Sequence, residues 1–200
     1  EKFHGAVIDH VGTENTRIFK AVQTTGATLK VIDEIAGSSV QARVAIIYDW
    51  EARWALDDAQ GFQKDKQYSH TCVDYYTPLW KRGVAVDIIG PTKDFDKYDL
   101  VIAPMQYMTD RAMIDKIERY VKNGGYFYAT YMLGMVNETD LCYLGGFPAE
   151  ELKDVFGIWN EEIDTLYPEE RGEVEMEGIK YPQKDYAELI HANTATVLAR

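Results

Sequence analysis

Apolar and polar positions alternate with several different periods along the chain, and each period predicts a different element. In "TENTRIFKAVQTTGATLKVIDEIAG", Ile18, Phe19, Val22, Leu29, Ile32 and Ile35 recur mostly every three or four residues, the spacing of one helix face. The pattern predicts one long amphipathic helix, with Thr13 or Asn15 as N-cap and Gly37 beyond its end. Residues 43–49 are apolar at nearly every position, as in a strand covered on both faces. In "YSHTCVDYYTPLWKRG" the residues Tyr68, Cys72, Tyr75, Tyr76, Leu79 and Trp80 share one helical side, with Gly83 as the stop and Pro78 expected to kink or restart the helix. Two strands come next, "VAVDIIG" and "YDLVIAPM". A further helix is capped by Thr109 or Asp110, turns Met113, Ile114, Ile117, Tyr120 and Val121 inward, and stops at Gly124-Gly125 before the strand "YFYATY".

The order strand, helix, strand, strand, helix, strand, with nearly continuous apolar strands, predicts an α/β layer sandwich around a mostly parallel, flavodoxin-like central sheet. Right-handed crossovers then put helices on both faces. From about residue 158 the pattern changes to short polar strands and turns, which predicts an antiparallel extension or the start of a further domain. The closing "TATVLAR" rises into a β-branched run without a turn or cap, as if cut within a strand of a longer protein.

Composition narrows the partners. Hydrophobic residues make up 46% of the 200 residues, enough for a real core, and the formal net charge of −12 opposes binding to nucleic acid or an anionic membrane. Most of that charge lies in residues 150–177, which hold eleven Asp or Glu against Lys153 and Arg171; such a run reads first as a solvated face. No stretch reaches the roughly 18 apolar residues of a membrane span. Two cysteines without a CxxC pattern fit a reduced, cytoplasmic setting.

Candidate chemistry is sparse. The turn after the first strand, "DWEARW", is bulky and acidic, unlike the glycine-rich cradle that binds phosphate. Relatives of this fold in the amidotransferase and DJ-1 group carry a reactive Cys on an elbow after a strand, but Cys72 falls in a helical stripe and Cys142 follows no clear strand, so both are expected to be buried and structural. His4, His10, His70 and His191 are scattered and offer no metal-ligand pair on one helix face, and no metal site is expected. The pairs Asp57-Asp58, Glu150-Glu151, Glu161-Glu162 and Glu169-Glu170 point in different directions and read as surface groups. Asp49 and Glu51 stand at the carboxyl end of the first strand, where open α/β sheets bind ligands, although Asp49 also suits a capping role.

The segments "HGAVIDHVGTENTRIFKAV", "ARVAIIYDWEARWAL", "YYTPLWKRGVAVDIIGP", "YDLVIAPMQYM", "YVKNGGYFYATYMLGMVNETD" and "YLGGFPAEELKDVFGI", in this order, closely resemble the middle, trimerisation domain of glycoside hydrolase family 42 β-galactosidases. The resemblance implies a class I glutamine amidotransferase-like sandwich that follows a catalytic barrel. It implies residues 1–37 as linker and helix from that barrel, residues 38–200 as trimerisation domain, and 158–200 as a β-rich extension. It implies no cofactor, no catalytic residue in this chain, and a parent hydrolase that forms homotrimers and cleaves terminal β-D-galactosides. Asp49, Trp50, Glu51, Arg53 and Trp54 are then expected to meet the barrel, a neighbouring subunit or the edge of the substrate site. Two rivals stand beside this reading: a free-standing amidotransferase-like or DJ-1-like protein, and a sugar-binding module using Trp50 and Trp54.

Overall fold

The computed structural model describes residues 7, 8, 10–61 and 65–200. It divides into two compact units, Glu1–Val40 and Gln41–Arg200. His4 lies outside the described residues.

In the first unit, α1 spans Arg17–Val31, shorter at both ends than the apolar pattern predicts. Neither Thr13 nor Asn15 is the cap. Thr16 is, because its backbone is extended (φ −110°, ψ 155°) and its hydroxyl accepts from the Phe19 N–H at 3.2 Å. At the other end Asp33 and Glu34 oppose the negative pole of the helix dipole, and the chain tightens there into a 3-10 turn, Asp33–Ile35. Apolar period alone carries no information on either effect. No side chain of α1 is buried, and Ile18, Val22 and Leu29 are 40%, 46% and 58% exposed.

The second unit begins with β1 (Val44–Ile47), α2 (Trp50–Asp58), α3 (Tyr68–Lys81), β2 (Val86–Ile89), β3 (Leu100–Ala103), α4 (Arg111–Lys122) and β4 (Tyr126–Ala129). The four strands form one parallel sheet in the order β2-β1-β3-β4, the arrangement of a flavodoxin-like fold. From β1 the chain moves one way to β2 and from β3 the other way to β4, so right-handed crossovers put α2 and α3 on one face and α4 on the other. Side chains divide in the same way: Ala45, Ile47, Val101 and Ala103 pack with Met113, Ile114, Ile117 and Tyr120 of α4, whereas Ala55, Leu56, Tyr68 and Cys72 of α2 and α3 join a separate cluster. Ile46 and Ile102, alternate with the first set, are fully or nearly fully buried as well, which is why both central strands read as unbroken apolar runs.

Three expectations change. Helix α3 continues through Pro78 without a restart, and Pro78 and Asp74, whose carbonyl loses its donor, both lie on the exposed side, open to solvent. Of its expected inner stripe only Tyr68 and Cys72 are buried; Tyr75, Tyr76 and Leu79 are half-buried and Trp80 is 63% exposed. Strand β4 is a sheet edge with one open side, where Tyr126 and Tyr128 are 74% and 49% exposed and only Phe127 and Ala129 face the core.

The glycine pair after α4 acts as the pattern predicts, but by two different means. Gly124 adopts φ +93°, which ends the helix, while Gly125 leaves room for the Tyr120 ring, with which a β-carbon there would collide. Tyr120 thereby donates its hydroxyl to the carbonyls of Tyr98 and Tyr126, tying α4 to the loop before β3 and to β4.

After the short helix α5 (Leu152–Phe156) the chain forms β5 (Ile158–Thr165), β6 (Gly172–Met176), β7 (Ile179–Gln183) and β8 (Tyr186–Ala192). These pair antiparallel as β5 with β8 and β6 with β7, as the change of pattern at residue 158 predicts. Glu188 of β8 fastens this region to the loop that follows β4. Its carboxylate accepts from the Met132 N–H at 2.7 Å and from Asn160 Nδ2 at 3.0 Å, and burial raises its pKa.

Candidate functional site

The carboxyl ends of β1 and β3 lie side by side at the point where strand order reverses. In open α/β sheets this is where ligands enter. Here a buried polar network fills it. Asp49 is the N-cap of α2: its Oδ1 accepts from the N–H groups of Glu51 (3.0 Å) and Ala52 (3.2 Å). Its Oδ2 accepts from Gln106 Nε2 at 2.6 Å, and its own N–H donates to the Tyr68 hydroxyl at 2.8 Å. Asp49 is 6% exposed and Gln106 1%. Gln106 also donates to the Met108 carbonyl at 2.8 Å, so one amide links the loops after β1 and β3. Burial pushes the Tyr68 phenol well above the usual tyrosine range, which keeps it neutral as a hydrogen-bonding post.

"DWEARW" is therefore not a turn but the cap and first turns of a helix. An acid at the cap, Glu51 in the first turn beside the positive dipole end, and inward Ala52, Ala55 and Leu56 account for it. The Asp-x-Glu spacing carries that signal. Nothing in the apolar pattern singles out Gln106, and only its place just after an apolar strand points to it.

The five expected residues thus separate by depth. Asp49 lies beneath the surface with both carboxylate oxygens engaged. Trp50 and Trp54 lie outside, 54% and 61% exposed, with ring centroids 6.0 Å apart and planes tilted by 41°. Trp50 meets the Tyr48 ring edge-on at 5.1 Å, and the Arg53 guanidinium stands over the Trp50 ring at 5.2 Å. Arg53 donates to the Tyr48 hydroxyl at 2.9 Å and approaches Asp57 at 3.8 Å; Glu51 is exposed. The result is a mostly aromatic shelf, held by Tyr48 and Arg53.

The other candidates disperse. Cys72 is buried, and desolvation pushes its thiol up to about 11, so it is protonated near neutral pH and a poor nucleophile. Cys142 is exposed, contrary to expectation. It follows a tight turn in which Asn137 Oδ1 accepts from the N–H groups of Thr139 and Leu141, and Cys142 bridges Val136. His191 stacks on Trp159 at 4.1 Å and reaches Glu161 at 2.6 Å, while His70 lies 3.7 Å from Asp74 on the same helix face. Among the described residues no group of His, Cys, Asp or Glu is arranged to hold a metal ion. Glu150 and Glu151 hold Arg111 at 2.8 and 2.6 Å, together with Asp115, as exposed ion pairs. No described helix is long and apolar enough to cross a membrane.

Residues 42–200 match the family described as the β-galactosidase trimerisation domain. The chain belongs to this family. Over its whole length it is 46% identical to the β-galactosidase Pbg of Clostridium perfringens and 41% identical to the β-galactosidase GanA of Bacillus subtilis, and it spans 30% of each. Among solved structures, Gan42B, a family 42 β-galactosidase, superposes with a TM-score of 0.83 at 45% identity, covering all of this chain and 29% of that one. The cold-adapted β-galactosidase of Rahnella sp. R3 gives 0.81 at 47% identity, again covering all of this chain and 30% of that one. A trimerisation domain of this fold thus spans about three-tenths of the length of the relatives it matches.

Proposed function

We propose that this chain is the non-catalytic assembly domain of a longer, retaining β-galactosidase, and that the shelf of Trp50, Arg53 and Trp54 is a contact surface for the upstream barrel or a neighbouring subunit. The observation that carries it is the exposure of two tryptophans held in place by Arg53 and Tyr48, directly above a buried network that fills the ligand-binding end of the sheet. Preordered indoles and a guanidinium bury much area at small entropic cost, which is what an interface anchor requires. With both carboxylate oxygens of Asp49 engaged, hydrolysis of terminal β-D-galactosides falls to the parent's barrel, which would supply both carboxylates of the double displacement. Residues 1–37 would join that barrel, consistent with an α1 that buries no side chain in its own unit, and the parent would assemble as a homotrimer. A cytoplasmic setting fits two unpaired cysteines, one of them exposed.

The test is made on the parent enzyme. Trp50→Ala and Trp54→Ala should each weaken assembly or barrel docking, seen as subunit dissociation by light scattering across a dilution series, with turnover falling only as the assembly is lost. Variants that stay fully assembled yet lose galactoside turnover would assign the shelf to substrate and refute the contact role.

A further inference from the structure

Helix α3 carries a second exposed apolar surface, at the opposite end of the sheet from the Trp50 shelf. Val73, Tyr76 and Trp80, spaced by three and four residues, share one side of the helix; Val73 and Trp80 are exposed and Tyr76 is half-buried. Gly83, at φ +70°, ends the helix, and the exposed Val84 follows it. Helix α3 runs back from the carboxyl end of β1 to the start of β2, which is parallel to β1. Trp80 therefore stands near the amino ends of the strands, and Trp50 and Trp54 near the carboxyl ends.

The two surfaces differ in the charge around them. Beside the shelf the exposed ionised groups are Glu51, Asp57 and Asp58, against Arg53, which is engaged by Tyr48 and Trp50. Beside Trp80 they are Lys81 and Arg82, with Asp74 farther back along α3 and 3.7 Å from His70. Lys81 and Arg82 suit the negative pole of the helix, and Arg82 donates to the Pro78 carbonyl at 3.1 Å. The chain has 33 Asp and Glu against 21 Lys and Arg, but among the described residues no ion pair joins either cation to an acid.

A closed ring of three identical chains is held by heterologous contacts, in which one surface of each copy meets a different surface of the next. It needs two patches that complement each other. An aromatic patch with an acidic rim and an aromatic patch with a basic rim do so, since the apolar centres exclude water and the rims attract. We infer that the Val73–Trp80 face of α3, with Lys81 and Arg82, docks on the Trp50–Trp54 shelf of a second copy of this chain, and that this head-to-tail contact closes the trimer. The choice of a second copy follows from the family, described as a trimerisation domain, and from the opposite charge of the two rims. The inference rests on the reading of the shelf as a contact surface and assigns that contact to the neighbouring subunit rather than the barrel.

Charge reversal on the full-length parent tests it. Lys81→Glu with Arg82→Glu should raise the protein concentration at which subunits dissociate by about tenfold or more, and Glu51→Lys with Asp58→Lys should do the same. Combining all four substitutions puts opposite charges back at every contact of the ring, so assembly should return. Reversals that leave dissociation unchanged, or a combined variant that is folded by circular dichroism yet stays dissociated, would overturn the inference. A benzophenone amino acid in place of Trp54 reads the contact without altering any charge. Photo-crosslinks to residues 73–84 of another copy are the expected result. Crosslinks to the barrel would overturn the inference and leave the shelf a contact surface; an assembled enzyme with no crosslink from position 54 would refute both.

Discussion

Helices α2 and α4 flank the same sheet and distribute their side chains in opposite ways. Helix α4 is complete within this chain: Met113, Ile114, Ile117 and Tyr120 are buried, and Arg111, Asp115, Arg119 and Lys122 face water. In α2 the buried residues are Ala52, Ala55 and Leu56, whereas the largest apolar side chains, Trp50 and Trp54, point outward. Small residues inside let α2 lie close to the cluster of Tyr68 and Met105. The tryptophans outside are left over, ordered against Tyr48 and Arg53 but uncovered. The largest apolar side chains of α2 are thus on its outer face, beside the exposed Glu51, Asp57 and Asp58, whereas those of α4 are all inside.

That contrast can be broken in graded ways. Ile117→Ala in α4 removes a fully buried side chain from a close-packed cluster and should cost about 2–5 kcal/mol of folding stability, read from the denaturation midpoint. A loss below about 1 kcal/mol would show that this face is loosely packed. Asp49→Ala removes the cap of α2 and strands the buried Gln106 amide, for an expected loss of about 2–3 kcal/mol. Asp49→Asn, which keeps the capping oxygen, should recover part of that loss; no recovery would mean that the Asp49 carboxylate facing the Gln106 amide matters more than the cap.

Trp54→Ala separates folding from assembly. The chain's own stability should change by less than about 1 kcal/mol, since the side chain is 61% exposed, while association of the parent should weaken by more than about 1 kcal/mol. Equal effects on both measurements would erase the distinction between the two helices. The smallest effect is expected at Arg111→Ala on the outer face of α4, where three exposed carboxylates share one guanidinium. Any drop in Tm should vanish at high salt, because exposed ion pairs are screened; a drop that persists would give that outer face a structural role.

Much of this is legible in the sequence. The unbroken apolar runs of β1 and β3 report strands covered on both faces, and the stripe of α4 with its closing glycine pair names a core face that the fold uses without change. The family likeness is carried by motifs spread over the whole chain, and residues 42–200 match it. Other features mislead for identifiable reasons. In α3 the aromatic stripe predicts an inner face, but Trp80 is exposed, because hydrophobicity reports preference for burial and not whether a neighbour exists. Cys142 is expected inside because free cysteines usually are, and a turn held by Asn137 carries it to the surface. Helix α1 is shorter than its apolar period, which continues past the point where Asp33 and Glu34 oppose the helix dipole.

The sequence by itself determined the layers: the four strands of the sheet, the helices α3 and α4, that the sheet is parallel, and that Asp49 stands at the end of β1. These depend on local periodicity and backbone chemistry, which are written in adjacent residues. Only the tertiary structure decided what those residues do. It brought Gln106 across from the end of β3, 57 positions away, to take the second oxygen of Asp49 and turn a possible acid into a strut. It left Trp50 and Trp54 outside the core that covers Ala52 and Leu56. Both outcomes are fixed by which distant segments become neighbours, and neither period nor composition records that.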